Sequence, residues 1–344
     1  NSAKTGASSA TTINLSTNFP LGSGLDLDQA NTGYRITVDA QDANNPPSGD
    51  GEITLGDGKG WNIKNLLLHS TTANSGYGVR GRSCRDITIS DCSFQKHKVQ
   101  IGISRATNVT VEWCPLRGVD ADFMEFYNDC SDILIQNNDV RDPTHHSLYT
   151  GEYLHNDGCQ FSTHPLDANG AGRGLRRCTI RNNVLENNTY PPIVKTYNGV
   201  ANRFFTMQGF FMYSDALRRS TGSGSGTHLW PVASHQDILM EDNWIVLCSQ
   251  NAIALSGIIR GLVQRNWIKQ KFGASGVAGS SFPSSPDSIA QSTISFYRAN
   301  STGSGDPVVY NQQLDVINNA TPYAFKTVTD NGSLGNSKLV DSGD

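Results

Sequence analysis

Charge is scarce in this sequence. Asp, Glu, Lys and Arg make up 17% of its 344 residues, against roughly 25% in an average domain, and the two signs nearly cancel to a net charge of -4. That balance excludes electrostatic capture of nucleic acid or of an anionic membrane as the main activity. Long apolar runs are missing as well. No stretch approaches 18 consecutive apolar residues, so no transmembrane helix is expected. The Ala/Glu/Lys/Leu mixture of helical proteins is absent, which excludes a helix bundle or coiled coil. Paired-cysteine spacing is absent too. Seven cysteines cannot all pair within one chain, and they form neither a disulfide framework nor a zinc-binding pattern. The first residues, Asn1-Ser2-Ala3-Lys4, offer no methionine and no signal peptide to read, and suggest a processed form.

What is present is a wealth of small polar residues, with 34 glycines among abundant Ser, Thr and Asn. Aromatic and branched aliphatic residues are spread along the chain, which argues against disorder. The length alone allows two domains, but a repeat argues for one. The phrase Ile133-Leu134-Ile135-Gln136-Asn137-Asn138-Asp139-Val140 alternates apolar and polar positions, turns on Asn-Asn and resumes with an apolar residue. Related phrases begin at residues 61, 87, 109, 178, 238, 261 and 314. Four of the steps between neighbouring copies lie between 22 and 26 residues. The steps of 45 and 53 are about two periods, and the step of 60 is two periods plus an insertion. Alternation with period 2 signals β-strands. A lone strand pair of this kind cannot bury its apolar face, whereas stacked copies share a continuous core.

Stacking predicts columns of identical turn residues. Asn137, Asn182 and Asn318 fall in one column, and Asn138, Asn183, Asn243, Asn266 and Asn319 in the next, where amides can bond up and down the stack. Cys92 and Cys114 share that second column as small inward residues. A further strand precedes each phrase, over 99–103, 122–126, 157–161, 208–212 and 251–255. Insertions interrupt the coils at 141–156, 187–206 and 215–234, and solenoids collect insertions on the face that binds ligand. The pattern resembles the right-handed parallel β-helix, or pectate-lyase-like, superfamily over roughly residues 34–325. The fold class expected is therefore all-β, a right-handed parallel β-helix with loop insertions. Residues 1–33 form an N-terminal end segment or cap, and 326–344 a C-terminal tail.

The chemistry-bearing residues gather between 120 and 164. Stacking sets Asp157 above Asp122, Gln160 above Glu125 and His155 above Asp120. The acids and His155 then form one polar patch across two coils, with members about 5–10 Å apart given the strand spacing. Carboxylates that close perturb one another and suit acid/base work or cation binding. His155, Asp157, Asp122, Glu125, His146 and Tyr149 are the candidate catalytic residues. His145, Tyr153, Gln160, His164, Lys195 and Tyr197 are the candidate substrate contacts. Asp120, Asp122 and Asp157 are candidate ligands for Ca²⁺. Tyr127 and Tyr190 add further rings near the patch for stacking on sugars.

Asn156-Asp157-Gly158-Cys159 is similar to the Gly-Asp-Asp-Cys segment of polygalacturonase-type glycosidases, and Asp122 to Phe126 is similar to their segment one coil earlier. Gly158 stands where that family has its second Asp, and the family's Gly-His-Gly and Arg-Ile-Lys motifs have no match. The superfamily resemblance implies a polysaccharide partner bound along the lateral face, near residues 98–165 and 190–213. A polysaccharide lyase acting on a uronic-acid-containing glycan by β-elimination is the first expectation. A glycoside hydrolase using stacked carboxylates comes next, then a non-catalytic adhesin or a tailspike-like protein, which would assemble as a trimer. An extracellular or virion-surface location follows, and unpaired thiols mildly favour a chain that folds in a reducing cytoplasm, as a phage protein would.

Overall fold

The computed structural model describes residues 10–27, 35–70, 75–119, 121–142, 155–163, 173–187, 194–197, 200–204, 206–214, 234–247, 251–270, 293–297, 313–320, 326–328 and 339–341. They build a right-handed parallel β-helix from three long parallel sheets of eleven, ten and eight strands. Each full coil visits the ten-stranded sheet first, then the eleven-stranded sheet, then the eight-stranded one. One coil, for instance, runs through His97–Ser104, Thr107–Glu112 and Pro115–Arg117. Parallel neighbours need a crossover, and here the crossover is the rest of the coil.

The alternating first half of the repeat phrase forms the eleven-stranded sheet. Ile87, Val109, Ile133, Cys178, Ile238, Gly261 and Leu314 are direct neighbours along it, so the sequence alignment and the strand register coincide residue by residue. Two positions on, Ile89, Val111, Ile135, Ile180, Met240, Val263 and Val316 form a continuous inward column, all fully buried. Phe94, Leu116, Val140, Leu185 and Ile245 do the same in the eight-stranded sheet. In the ten-stranded sheet Phe126 and Phe161 stack with centroids 5.7 Å apart. Every coil thus buries its apolar face on two neighbours, which is why no single coil is a separate unit.

The ladder extends past both expected ends of the solenoid. Thr11–Leu15 pairs with Ile36–Ala40, and Leu339–Asp341 pairs onto Leu314–Asn319. Parts of 1–33 and of 326–344 therefore belong to the stack itself. The insertion over 187–206 carries an antiparallel hairpin of Val194–Tyr197 and Val200–Phe204.

The turns explain the asparagines. Asn65, Asp91, Trp113, Asn137, Asn182, Asp242, Arg265 and Asn318 all have φ between 52° and 57°. This left-handed geometry is one that Asn and Asp tolerate best. The next residue points inward. The Asn138 side-chain amide donates to Asn183 Oδ1 (3.0 Å), Asn183 to Asn243 (3.0 Å), Asn243 to Asn266 (2.8 Å) and Asn266 to Asn319 (2.9 Å). Each of these Oδ1 atoms also accepts the backbone N–H of the preceding rung. Cys114 continues the column downward by donating its N–H to Asn138 Oδ1 at 3.0 Å. The six described cysteines are all buried as free thiols.

Candidate functional site

The outer face of the ten-stranded sheet carries the acidic patch. Glu125 lies in register between Gly102 and Gln160, and Tyr127 between Ser104 and Ser162. Asp122 precedes this strand, and its Oδ1 accepts the backbone N–H of Asp157 at 2.7 Å. Phe123 in turn donates its N–H to the Asp157 carbonyl at 3.0 Å. Asp122, Glu125, Asp157 and Gln160 are thus brought together across two adjacent coils. Glu125 faces away from the core, yet it is only 6% exposed, and Asp157 is fully buried.

Crowding three carboxyl groups under cover has an electrostatic result. Burial, then the charges of Asp157 and Glu125, push the Asp122 carboxyl well above the usual carboxylate range. Burial also raises Glu125, against the opposing effect of hydrogen bonds from the Tyr127 hydroxyl and the Asp122 carboxyl. Asp122, Glu125 and Tyr127 therefore bias one another's titration. Burial and the Glu125 charge raise the Tyr127 phenol strongly, so it stays protonated. Glu125 Oε2 is buried and accepts no hydrogen bond from the described residues.

Beside these acids lies a cavity of about 280 Å³, walled by Tyr77, Arg80, Arg82, Ser104, Arg105 and Tyr127. Register explains the assembly. Arg80 pairs with Gly102, which pairs with Glu125, and Arg82 pairs with Ser104, which pairs with Tyr127. Gly102 is required there, because a Cβ would sit 2.3 Å from the Tyr77 ring that lies over it. Arg80 in turn sits 5.3 Å from the centre of that ring. None of Arg80, Arg82 and Arg105 forms an ion pair with a described carboxylate. The cavity is therefore cationic at one wall and bounded by the Tyr127 phenol at the other.

For several expected residues no side chain is described. Asp120, His145, His146, Tyr149, Tyr153, His164 and Tyr190 lie outside the described residues. His155 enters the strand His155–Thr163 beside Thr206, and Lys195 and Tyr197 belong to the antiparallel hairpin, but only their backbones are described. Asp122 Oδ1 accepts the Asp157 N–H, and no group of three His, Cys, Asp or Glu among the described residues is arranged to hold a metal; Asp120, the third expected Ca²⁺ ligand, lies outside them. The cavity lies on coils built from residues 77–128, earlier in the chain than most of the expected groove. Its arginines were missed by the sequence reading. The repeat alignment carries the signal, since extending it one coil back sets Arg80 and Arg82 in the columns of Glu125 and Tyr127.

No family model matches the sequence, and a search of curated proteins returns no match. Among solved structures the chain is similar to an alginate lyase from Paenibacillus sp. at 13% identity and a TM-score of 0.45. That likeness covers 96% of this chain and 99% of the other. The surface protein and adhesin PfbA of Streptococcus pneumoniae gives 12% identity and a TM-score of 0.47, over 89% of this chain and 75% of that one. The catalytic domain of a GH87 α-1,3-glucanase gives 12% and 0.40, over 96% and 64%. The fold is that of the parallel β-helix proteins. Similarity at these identities concerns architecture, and the chemistry must be argued from the site.

Proposed function

We propose that this protein cleaves an acidic polysaccharide by β-elimination on the outer face of the ten-stranded sheet. One observation carries the reading. Arg80, Arg82 and Arg105 share a cavity with Tyr127, which stands two residues beyond Glu125 on the same strand. β-Elimination from a uronate needs its carboxylate neutralised, a base for the C5 proton and an acid for the departing oxygen. Arginine forks suit the carboxylate. Glu125, raised by burial, is a stronger base than an exposed carboxylate. Tyr127, held protonated, supplies the proton to the glycosidic oxygen. The C5–H and C4–O bonds break, the C4=C5 bond forms, and Glu125 retains the proton it took until Tyr127 is reprotonated from it.

A second reading, hydrolysis, rests on the carboxyl groups of Asp122, Glu125 and Asp157 gathered on adjacent coils, of which burial raises Asp122 and Glu125. A panel of uronate-containing and neutral glycans separates the two. Elimination gives ultraviolet-absorbing unsaturated ends, and hydrolysis gives reducing ends without that absorbance. Binding without either product would identify an adhesin and overturn both readings. Under the proposal Tyr127→Phe lowers turnover by roughly 10²-fold or more, the usual range for losing a general acid.

A further inference from the structure

Around the corner from the site, where the ten-stranded sheet turns into the eleven-stranded one, lies a second cavity of about 330 Å³. Its walls include Arg105, Thr107, Asp129, Arg173, Arg176 and Arg177. The coil repeat assembles them. Asp129 donates its N–H to the Arg173 carbonyl at 2.8 Å, and Arg105 donates its N–H to Asn128 O one coil earlier. Thr107, Ser131 and Arg176 are successive neighbours in the ladder.

The charges do not balance. Arg177 is held by both oxygens of Asp132, at 2.5 and 2.7 Å. Arg173 approaches Asp129 only at 4.0 Å. Arg105 and Arg176 form no ion pair with a described carboxylate, and Arg176 Nε is buried without a hydrogen-bond partner. Arginines at a cavity wall without a described carboxylate partner leave guanidinium donors open to an anionic ligand. Such a ligand needs two or more oxygens of negative character, since the guanidinium fork matches a carboxylate or sulfate group. Arg105 lines both cavities.

We propose that this second cavity is a subsite for an acidic group, carboxylate or sulfate, of a glycan chain, set apart from the bond that reacts. The polysaccharide as source of that anion rests on the function proposed above. The subsite predicts that affinity grows with chain length, because a short oligomer fills the first cavity alone.

The test is calorimetric binding of a uronic-acid disaccharide and hexasaccharide, with a sulfated glucan and inorganic sulfate as separate arms. It compares the intact chain with the Arg173→Gln/Arg176→Gln double variant. The double variant should lose about tenfold in affinity for the hexasaccharide and nothing for the disaccharide. Preference for the sulfated glucan over the uronide would assign the acidic group as sulfate, and competition by inorganic sulfate alone would show the cavity's own anion affinity. Arg173→Gln alone changes a side chain that is 54% exposed. Its smaller loss therefore reads binding without disturbing the core, and Arg176→Lys should restore part of the affinity. Equal hexasaccharide affinity in both proteins, or no anion binding by the intact chain, overturns the subsite. Arginine-dependent binding with no cleavage keeps the subsite and overturns the lyase. Cleavage with arginine-independent binding does the reverse.

Discussion

At the scale of single residues, the acidic patch couples stability to pH. Burial raises both Asp122 and Glu125 in the folded chain, and the charges of Asp157 and Glu125 raise Asp122 further. A carboxyl raised on folding contributes most below its unfolded pKa, and that contribution is lost as pH rises through the folded value. The protein should therefore lose stability from the ordinary carboxylate range upward. Asp122→Asn keeps an oxygen for the Asp157 N–H and removes the charge. We expect its thermal midpoint to exceed that of the unmodified chain at pH 8–9 and to match it near pH 4, measured by circular dichroism. Cysteine gives a second prediction. Burial pushes the Cys84, Cys92 and Cys130 thiols up to about 12 and raises Cys114, Cys159 and Cys178 as well. A thiol reagent at neutral pH should modify at most one of the seven cysteines in the folded protein and all seven in urea. Rapid reaction of two or more would contradict the burial described here.

The element scale is where the sequence proved most legible. Alternation over Ile133–Gln136 and its copies fixes which side chains face inward, because a slip of one residue would turn every apolar side chain outward. The same alignment sets Gln160 beside Glu125 and stacks five asparagines. It fails where the period fails. His145, His146, Tyr149 and Tyr153 lie in an insertion, and an insertion has no neighbour of its own kind to fix its place. It also undervalues arginine, since Arg80 looks like an ordinary solvated strand residue until Tyr77, Gly102 and Glu125 are in view. That Glu125 would be covered was equally hidden, because alternation reports direction and not depth.

The asparagine ladder yields a prediction at this scale. Asn183 Oδ1 accepts both the backbone N–H and the side-chain amide of Asn138, and its Nδ2 donates to Ile135 O and Asn243 Oδ1. Asn183→Leu leaves these buried groups unpaired at about 1–3 kcal/mol each, a loss of several degrees in thermal midpoint. Asn138→Cys should cost less, because Cys92 and Cys114 already occupy that column.

For the whole molecule, stacking of coils replaces a single globular core. Each coil touches only its neighbours, so unfolding need not be one concerted event. Trp61 is fully buried near the N-terminal end, while Trp244 and Trp267 stack at 3.4 Å towards the C-terminal end, with Trp244 45% exposed. Variants retaining one or the other signal should report separate fluorescence transitions in denaturant. Coincident transitions would mean that the coils unfold as one.

The asparagine column also has a direction. From Asn138 to Asn266 every side-chain oxygen accepts from the coil before it, and every amide nitrogen gives one of its hydrogens to the asparagine of the coil after it. Their dipoles add along the long axis, where the alternating dipoles of sheets leave little net field. The solenoid therefore carries an internal electric polarity, negative towards Cys114 and positive towards Asn319, produced by uncharged residues and shielded by burial from dissolved salt.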